Sequence, residues 1–172
     1  MIYKAQRQLL RDLAVSFLAA FAVIFLVMIA VLRSLPAAVV AMLANLFPAV
    51  VVFGVMSWIR LPVQIGSVMT ASAALGIAVD DTVHFLTWFR RGIQEEQEHG
   101  GALQTAVQRC AGAMTHTTVI CSCGLIVFAA SSFVPILHFA WLMVFLLLMA
   151  LVGDLILLPS MLAGPLGRWF RK

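Results

Sequence analysis

Charged residues are scarce in this chain of 172 residues. Only 10% of the residues are Asp, Glu, Lys or Arg, whereas 63% are hydrophobic and the mean hydropathy is +1.08. A soluble domain usually carries about a quarter charged residues. The shortage excludes an ordinary soluble globular domain. The net charge of +4 does not indicate a nucleic-acid partner, because the basic residues stand at the ends of apolar segments and form no basic patch.

Cysteines and catalytic motifs are also scarce. Cys121 and Cys123 lie two positions apart, a spacing that suits neither a shared metal nor a disulfide on a helix, and Cys110 leaves an odd count of three. The chain contains no H-E-x-x-H motif, no G-x-S-x-G motif and no glycine-rich phosphate-binding loop. We therefore predict no metal, no cofactor and no enzymatic activity.

Long apolar segments make up most of the remaining sequence. Each is about twenty residues or more, long enough for a helix to cross a bilayer core of roughly 30 Å. Only a helix satisfies its own backbone hydrogen bonds in lipid, so we predict helices and not strands. After a juxtamembrane lead of residues 1–12, the predicted spans are residues 13–32, 35–59, 61–89, 113–134 and 137–162. The predicted fold class is an all-α, multi-pass membrane protein built as a five-helix bundle.

The first span follows basic residues, as the core of a cleaved signal peptide would. Its apolar run is longer than the roughly 7–15 residues of a signal core, and further spans follow, so we predict an ordinary first span. Five spans place the termini on opposite sides of the membrane. Seven basic residues then share one side: Arg33, Arg90, Arg91, Arg109, Arg168, Arg171 and Lys172. The other side has four: Lys4, Arg7, Arg11 and Arg60. The excess predicts a cytoplasmic C-terminus.

This topology leaves the N-terminal basic trio outside the cell. That placement is unusual for residues ahead of a first span, and it fits a segment that normally follows something larger.

One extended polar stretch, residues 90–112, is predicted as a cytoplasmic loop. It contains an acidic run with Glu95, Glu96 and Glu98, which indicates a solvated turn. From Ala102 to Ala111 the apolar residues recur at helical spacing, which predicts an amphipathic helix at the membrane interface before the fourth span. A solvated linker helix is the alternative for the same pattern.

Two adjacent carboxylates, Asp80 and Asp81, interrupt the third predicted span. An ionised carboxylate at bilayer depth costs a few kcal/mol or more, so such residues usually mark proton or ion pathways. Burial and a neighbouring like charge both favour the neutral acid, so we expect one of the two to bind a proton near neutral pH. Alternatively, the pair marks the solvated end of a shorter span, although the apolar residues from Val83 to Phe89 argue against this.

Helical spacing places further residues beside the acid pair. Ser72, Gly76, Asp80 and His84 are four positions apart and share one helix face, and Asp81 is three positions from His84. The small residues Ser72 and Gly76 would allow a neighbouring helix to approach closely. We therefore predict a packing face that also carries ionisable groups.

The last two spans also contain polar side chains, and the sequence leaves open which groups these side chains contact. In the fourth span, Thr115, Thr118 and Ser122 share a face and could donate to the carboxylates of the third span. They could equally donate to their own backbone carbonyls. In the fifth span, Asp154 is a third intramembrane acid, placed either in the bundle interior or near a solvated cytoplasmic end.

The segment from Gly76 to Phe85 resembles the fourth-helix signature of the resistance–nodulation–division (RND) superfamily. More narrowly, it resembles the MMPL-type exporters, which are related to sterol-sensing-domain proteins. Three further matches occur in the same order: Arg33-Ser34-Leu35 with Asn45-Leu46-Phe47-Pro48, then Gly124 with Ser132-Phe133-Val134-Pro135 and Phe139, and finally Asp154-Leu155 with Leu158-Pro159. The resemblance covers the chain from about Arg7 to Pro159.

This resemblance implies a half-bundle in which the five spans correspond to helices two to six of one RND repeat. The family has two parallel six-helix repeats, each with a large extracytoplasmic porter domain. It implies proton-driven export of lipids or other hydrophobic compounds across the cell (inner) membrane. The implied partners are the bilayer, a hydrophobic or lipid-like substrate, protons, and either the missing repeat and porter domain or further copies of the chain.

The resemblance also implies roles for individual residues. The family's protonation site carries over to Asp80 and Asp81, and its supporting hydroxyl on the next helix carries over to Thr117 or Thr118. The spacing adds His84, and the location of the third acid adds Asp154. These six are the candidate proton-relay residues, and Ser72 and Gly76 are the candidate helix-packing residues.

Three other functions stay open at this point. A protein-export accessory of the SecD/SecF type also has an acid on its fourth helix, but the adjacent acid pair and the Ser-Phe-x-Pro turn argue against it. A sterol- or lipid-sensing bundle would bind lipid without proton coupling. An intramembrane aspartyl protease needs two acids on separate helices, as Asp81 and Asp154 are, but Tyr3 is the only Tyr and no Pro-Ala-Leu motif follows Asp154.

Overall fold

The computed structural model describes residues 2–60, 65–95 and 99–164. In chain order the helices are α1 (Ile2–Leu32), α2 (Leu35–Trp58), α3 (Ile65–Gln94), α4 (His99–Ile126), α5 (Val134–Val152) and α6 (Leu158–Ala163). A short 3-10 turn, Val127–Ala130, ends α4, and a π-helical segment, Gly153–Leu157, joins α5 to α6 without a break. These described residues contain no strand, so the predicted all-α fold is confirmed.

Parts of three predictions fall outside the described residues. They are the start of the third predicted span (residues 61–64), the acidic residues Glu96 and Glu98, and the C-terminal basic residues Arg168, Arg171 and Lys172.

Helix ends follow from local sequence and from one long-range contact. Prolines occupy the first turns of α2 and α5, where a missing backbone N–H leaves no helical hydrogen bond unmade. Arg33 and Arg60, which follow α1 and α2, have positive φ angles of 47° and 58°, the left-handed conformation that commonly ends a helix. Arg90 of α3 donates from Nη1 to the carbonyl oxygen of Leu32 at 2.7 Å, which satisfies a free carbonyl in the last turn of α1.

Within the described residues, four helices are long and apolar enough to cross a membrane. The qualifying segments are Arg11–Leu32, Ala37–Trp58, Gly100–Ala130 and Val134–Ala163. Helix α3, which the sequence predicts as a span, is not among them, since Asp80 and Asp81 together with its Ser and Thr residues lower its hydropathy. It nevertheless contacts α1, α2, α4 and α5, so it has the central position in the bundle.

The polar connection predicted for residues 90–112 is shorter than expected. Helix α3 continues to Gln94 and α4 begins at His99, so the predicted interfacial helix is the first part of α4 and not a separate element. The predicted amphipathic pattern is present, because Ala102 and Ala106 are buried whereas the opposite face, with Gln104, is exposed.

Close packing against α3 explains why this part of α4 continues as one helix. A Cβ placed on Gly92 of α3 would lie only 3.0 Å from the Cα of Ala102. The small residues on both helices let the two backbones approach closely. The apolar face of this part of α4 is therefore buried against α3, and not against the membrane surface as predicted.

The bundle interior is divided into two apolar clusters along its length. One contains Met28, Leu32, Ala41, Ala44, Phe85, Phe89, Leu158 and Leu162, among others. The second contains Val52, Ala71, Ala74, Met143, Leu146 and Leu147. On α2, α3 and the α5–α6 helix alike, a buried polar residue stands between the members of the two clusters: Asn45, Thr82 and Asp154. The structure therefore has a polar layer in the middle of its core.

Candidate functional site

The predicted acid pair lies in the middle of α3, and its two side chains have different surroundings. Asp80 is exposed on the surface of the bundle, whereas Asp81 is half-buried. His84, one turn further along, is also exposed, and it interacts electrostatically with Asp81. Gly76, Asp80 and His84 therefore form an exposed stripe on α3, which we call the α3 stripe.

Asp81 links this surface to the interior. It lies within electrostatic range of Asp154 in the π-helical segment and of Cys110 on α4. Asp154 is only 3% exposed, so of the two locations predicted for this acid the structure selects the bundle interior. Two of the three predicted intramembrane acids are thus within electrostatic range of each other, although they come from different helices.

Thr82, the residue after the acid pair, joins three helices through one hydroxyl group. Its Oγ1 lies 2.7 Å from Oδ1 of Asp154, 2.8 Å from Oδ1 of Asn45 and 3.0 Å from the carbonyl oxygen of Ala78. Thr82, Asn45 and Asp154 are 0%, 2% and 3% exposed. We call these three residues the buried triad. Its members connect α2, α3 and the π-helical segment in the polar layer.

Local backbone geometry brings Asp154 to this position. A Cβ on Gly153 would lie 3.3 Å from Cδ1 of Phe47 and 3.5 Å from the carbonyl oxygen of Ala44, so the absence of a side chain lets the helix pack closely on α2. Asp154 is the next residue, and it lies in the π-helical turn that begins at Gly153, a feature often found at functional sites. The close approach at Gly153 places the Asp154 carboxyl group in the same layer as Asn45.

Hydroxyl groups on α4 mostly satisfy their own helix. Thr115 donates to the carbonyl oxygen of Ala111 at 2.7 Å, and Thr117 donates to that of Ala113 at 3.0 Å. Of the two arrangements left open for Thr115, Thr118 and Ser122, backbone bonding therefore applies to Thr115, whereas the buried Oγ of Ser122 has no hydrogen-bond partner among the described residues. Thr118 is buried, with 4% exposure, whereas Thr117, the other hydroxyl that the resemblance offers, is exposed.

One of the two predicted packing residues, Gly76, makes no close contact with another helix in the described part of the chain. Ser72 is half-buried and donates to the carbonyl oxygen of Val68, in its own helix, at 3.0 Å. A Cβ on Gly76 would have no atom within 4 Å, so Gly76 lies open on the α3 stripe. The close approach of α3 to another helix occurs instead at Gly92.

These observations describe a helical membrane bundle with ionisable groups at its centre. A sequence model of the MMPL family matches residues 3–172. The chain belongs to the MMPL family. No curated protein matches it significantly. Members of the MMPL family are transporters, which agrees with the resemblance drawn from the residues around Asp80 and with a half of an RND-type exporter.

Two residues of the MMPL bundle, Thr82 and Asn45, were not predicted as site residues from the sequence. Asn45 carries a signal that could have identified it, since a carboxamide in an uncharged apolar span must find a hydrogen-bond partner. Thr82 carries no such signal, because a threonine hydroxyl in a helix commonly donates to its own backbone. Among the described residues, no group of three or more His, Cys, Asp or Glu side chains is arranged to hold a metal ion.

Proposed function

We propose that this chain is the transmembrane part of a proton-coupled exporter of lipids or other hydrophobic compounds. Family membership supplies the transport function. The observation that carries the proton coupling is the position of Asp80 and Asp81 on α3, the helix in contact with α1, α2, α4 and α5. Acids at such positions in membrane helices are energetically costly, and those that occur usually mark an ion or proton pathway.

Proton binding changes what the α3 stripe can contact. An ionised Asp80–Asp81 pair requires water or a cationic partner such as His84, whereas the neutral pair can lie against an apolar helix. A proton can shift the bundle between two arrangements only if it binds to one arrangement more tightly than to the other. The arrangement in which the acid pair lies against an apolar helix binds the proton more tightly than the arrangement in which water surrounds the pair. We infer that protonation moves α3 relative to α4 and so alternates access to the two sides of the membrane.

An apolar groove between α1 and α2 supports a hydrophobic substrate. The groove has a volume of about 290 Å³. Its lining consists of Leu18, Phe21, Ala22, Phe25, Val39, Met42, Leu43 and Leu46. It has no polar side chain that could orient a sugar or a charged compound, so it suits a hydrocarbon chain.

The exposed acids support a partner that covers the α3 stripe. Asp80 and His84 are exposed in the isolated chain, and an uncovered carboxylate facing hydrocarbon would cost about 3 kcal/mol or more. We propose that a second transmembrane half, from another copy or another part of the assembly, packs on this stripe. We place the assembly in the cell (inner) membrane with the C-terminus in the cytoplasm, on the excess of basic residues assigned to that side.

Carbodiimide labelling tests whether the acid pair binds protons. The reagent modifies protonated carboxyl groups in apolar surroundings, and mass spectrometry identifies the labelled residue. We expect labelling at Asp80 or Asp81 that decreases between roughly pH 6 and 9. Asp12, which is exposed near the start of α1, serves as the reference acid. Absence of labelling at both positions over the whole range would contradict proton binding.

Transport by the complete assembly tests the coupling itself. Vesicles containing Asp80→Asn or Asp81→Asn protein should lose export of a fluorescent lipid driven by a pH gradient, because an amide cannot release a proton. The control is Glu95→Gln, which removes an exposed carboxylate paired with Arg91 at the end of α3. Full proton-driven transport in both Asp variants would overturn the mechanism.

The proximity of Asp81 and Asp154 does not favour an aspartyl protease. A pair of catalytic acids must admit a water molecule and a peptide between them. Asp154 is almost fully buried, and its carboxyl group already contacts the Thr82 hydroxyl at 2.7 Å. This arrangement suits proton storage better than peptide cleavage.

A further inference from the structure

The buried triad contains more hydrogen-bond acceptors than the Thr82 hydroxyl can serve. Thr82 has one hydroxyl hydrogen, yet three oxygen atoms lie within 3.0 Å of its Oγ1: Oδ1 of Asp154, Oδ1 of Asn45 and the carbonyl oxygen of Ala78. A hydroxyl donates one hydrogen bond and accepts up to two. At least one of the two short side-chain contacts therefore needs a hydrogen atom from the other residue.

Two residues can supply this hydrogen: Asp154 as a neutral acid, or Asn45 from its Nδ2. With Asn45 presenting its Oδ1 to Thr82 and its Nδ2 buried without a partner, the donor is Asp154; with the amide turned over, the donor is Nδ2 and Asp154 is ionised. The surroundings of Asp154 favour the neutral acid. If the carboxyl group of Asp154 carries a proton, it donates to Thr82, and Thr82 donates to Asn45. Both short contacts are then hydrogen bonds.

Among the residues that the structure describes, no cation is placed to hold Asp154 as a carboxylate. The π-helical segment packs against α2, α3, α5 and α6. Helix α2 has no ionisable side chain, α6 has none, and α5 has only His138 near its first turn. From α3 the group that interacts with Asp154 is Asp81, an acid of the same sign. A carboxylate so placed would be buried with one hydrogen-bond donor and no counter-ion, which is a costly arrangement.

We propose that Asp154 is a second protonation site, held as a neutral acid by Thr82 and Asn45, and that loss of its proton reverses the direction of this hydrogen-bond chain. In the ionised state, Thr82 donates to Asp154, and the Asn45 amide turns over so that Nδ2 donates to Thr82. The proton that leaves Asp154 is accepted by the Asp81 carboxylate, so the step conserves charge within the site.

This reversal requires no movement of the helices. The carboxamide has a donor at one end and an acceptor at the other, so turning it over serves the triad in either protonation state. Thr82 is a positioning residue in this scheme, because it stays between Asn45 and Asp154 and never keeps the proton. The transfer of the proton to Asp81 rests on the proposed function, in which Asp81 exchanges protons. The neutral state of Asp154 does not depend on the proposed function.

Infrared difference spectroscopy on the intact protein in lipid vesicles tests the inference directly. A protonated carboxylic acid has a carbonyl stretching band separate from that of a carboxylate. At neutral pH we expect a band of this kind that disappears in Asp154→Asn and persists in Asp12→Asn, apart from any band of the Asp80–Asp81 pair. The band should shift to higher frequency in Thr82→Val, which removes the hydrogen-bond partner, and return in Thr82→Ser, which restores it.

Two results would overturn the inference: a spectrum in which Asp154→Asn removes no protonated-acid band, or a band at the same frequency in Thr82→Val and Thr82→Ser. If Asp154→Asn does not fold, the band frequencies of Thr82→Val and Thr82→Ser still decide whether the inference holds. The outcome is separable from the proposed function. If the Asp154 band is present but Asp80 and Asp81 are not labelled by carbodiimide, the proposed proton exchange at α3 is refuted and this inference stands. If Asp80 or Asp81 is labelled but the Asp154 band is absent, this inference is refuted and the proposed function stands.

Discussion

The Oγ1 atom of Thr82 lies 2.7 Å from Oδ1 of Asp154, although 72 positions separate the two residues in the chain. The same oxygen lies 2.8 Å from Oδ1 of Asn45, 37 positions away. One threonine hydroxyl therefore connects three helices at the level where the two apolar clusters meet. The contact also relates the acid pair of α3 to a buried acid, since Asp81 precedes Thr82.

Replacement of Thr82 tests the energetic importance of this contact. Thr82→Val keeps the shape of the side chain but leaves buried polar groups of Asp154 and Asn45 without their partner, so we expect a loss of about 1–3 kcal/mol in the free energy of unfolding. Thr82→Ser keeps the hydroxyl and should recover most of the loss. Denaturant titration in detergent micelles measures both. Equal stability of the Val and Ser variants would show that the hydroxyl contributes nothing.

Two glycines on different faces provide a matched test of the contact between α2 and the π-helical segment. Gly153→Ala places a Cβ 3.3 Å from Cδ1 of Phe47, so the ring must shift and the variant should be destabilised, by about 1 kcal/mol or more. Gly76→Ala adds a Cβ with nothing within 4 Å and should be neutral or stabilising by up to about 1 kcal/mol in the isolated chain. Thermal unfolding of both variants in detergent compares them, and an equal effect would contradict the close approach at Gly153.

Arg90 should stabilise the junction of α1 and α3. Arg90→Gln shortens the side chain and removes the charge that meets the Leu32 carbonyl, so we expect a loss of roughly 0.5–2 kcal/mol and earlier proteolysis near Arg33. Arg91→Gln is the control, since Arg91 forms an exposed pair with Glu95 at 3.1 Å and contacts the Trp88 ring. Its effect should stay below about 1 kcal/mol. Limited proteolysis together with thermal unfolding distinguishes the two, and a larger effect at Arg91 would contradict the capping role.

The two hydroxyls that the resemblance offers as supports for the acid pair should differ in importance. Thr117→Val removes an exposed hydroxyl that donates to its own backbone, so proton-driven transport should stay within about twofold of the unsubstituted protein. Thr118→Val alters a buried position and should reduce transport more strongly. Transport assays in vesicles, normalised to the amount of inserted protein, make the comparison. The reverse order of effects would assign the supporting role to Thr117.

Much of the fold follows from the sequence because the membrane leaves little choice. Apolar segments of about twenty residues must be helical in lipid, so the number of long helices and their approximate bounds could be predicted. The start of α4 could not be predicted from the sequence. Residues 100–112 look like a surface helix by composition, and only their packing on Gly92 of α3 joins them to the following span.

The candidate site divides in the same way. Asp80, Asp81 and Asp154 could be selected from the sequence, since the energetic cost of a carboxylate in an apolar span depends only on local composition. Which of them is buried, and which residues it contacts, depends on how far each helix is rotated about its axis. That rotation is set by contacts between helices, such as Gly153 against Phe47, and no local pattern encodes it. The sequence by itself thus determined a membrane helix bundle with three acids in its apolar segments, and the tertiary structure alone decided that Thr82 and Asn45 would meet Asp154.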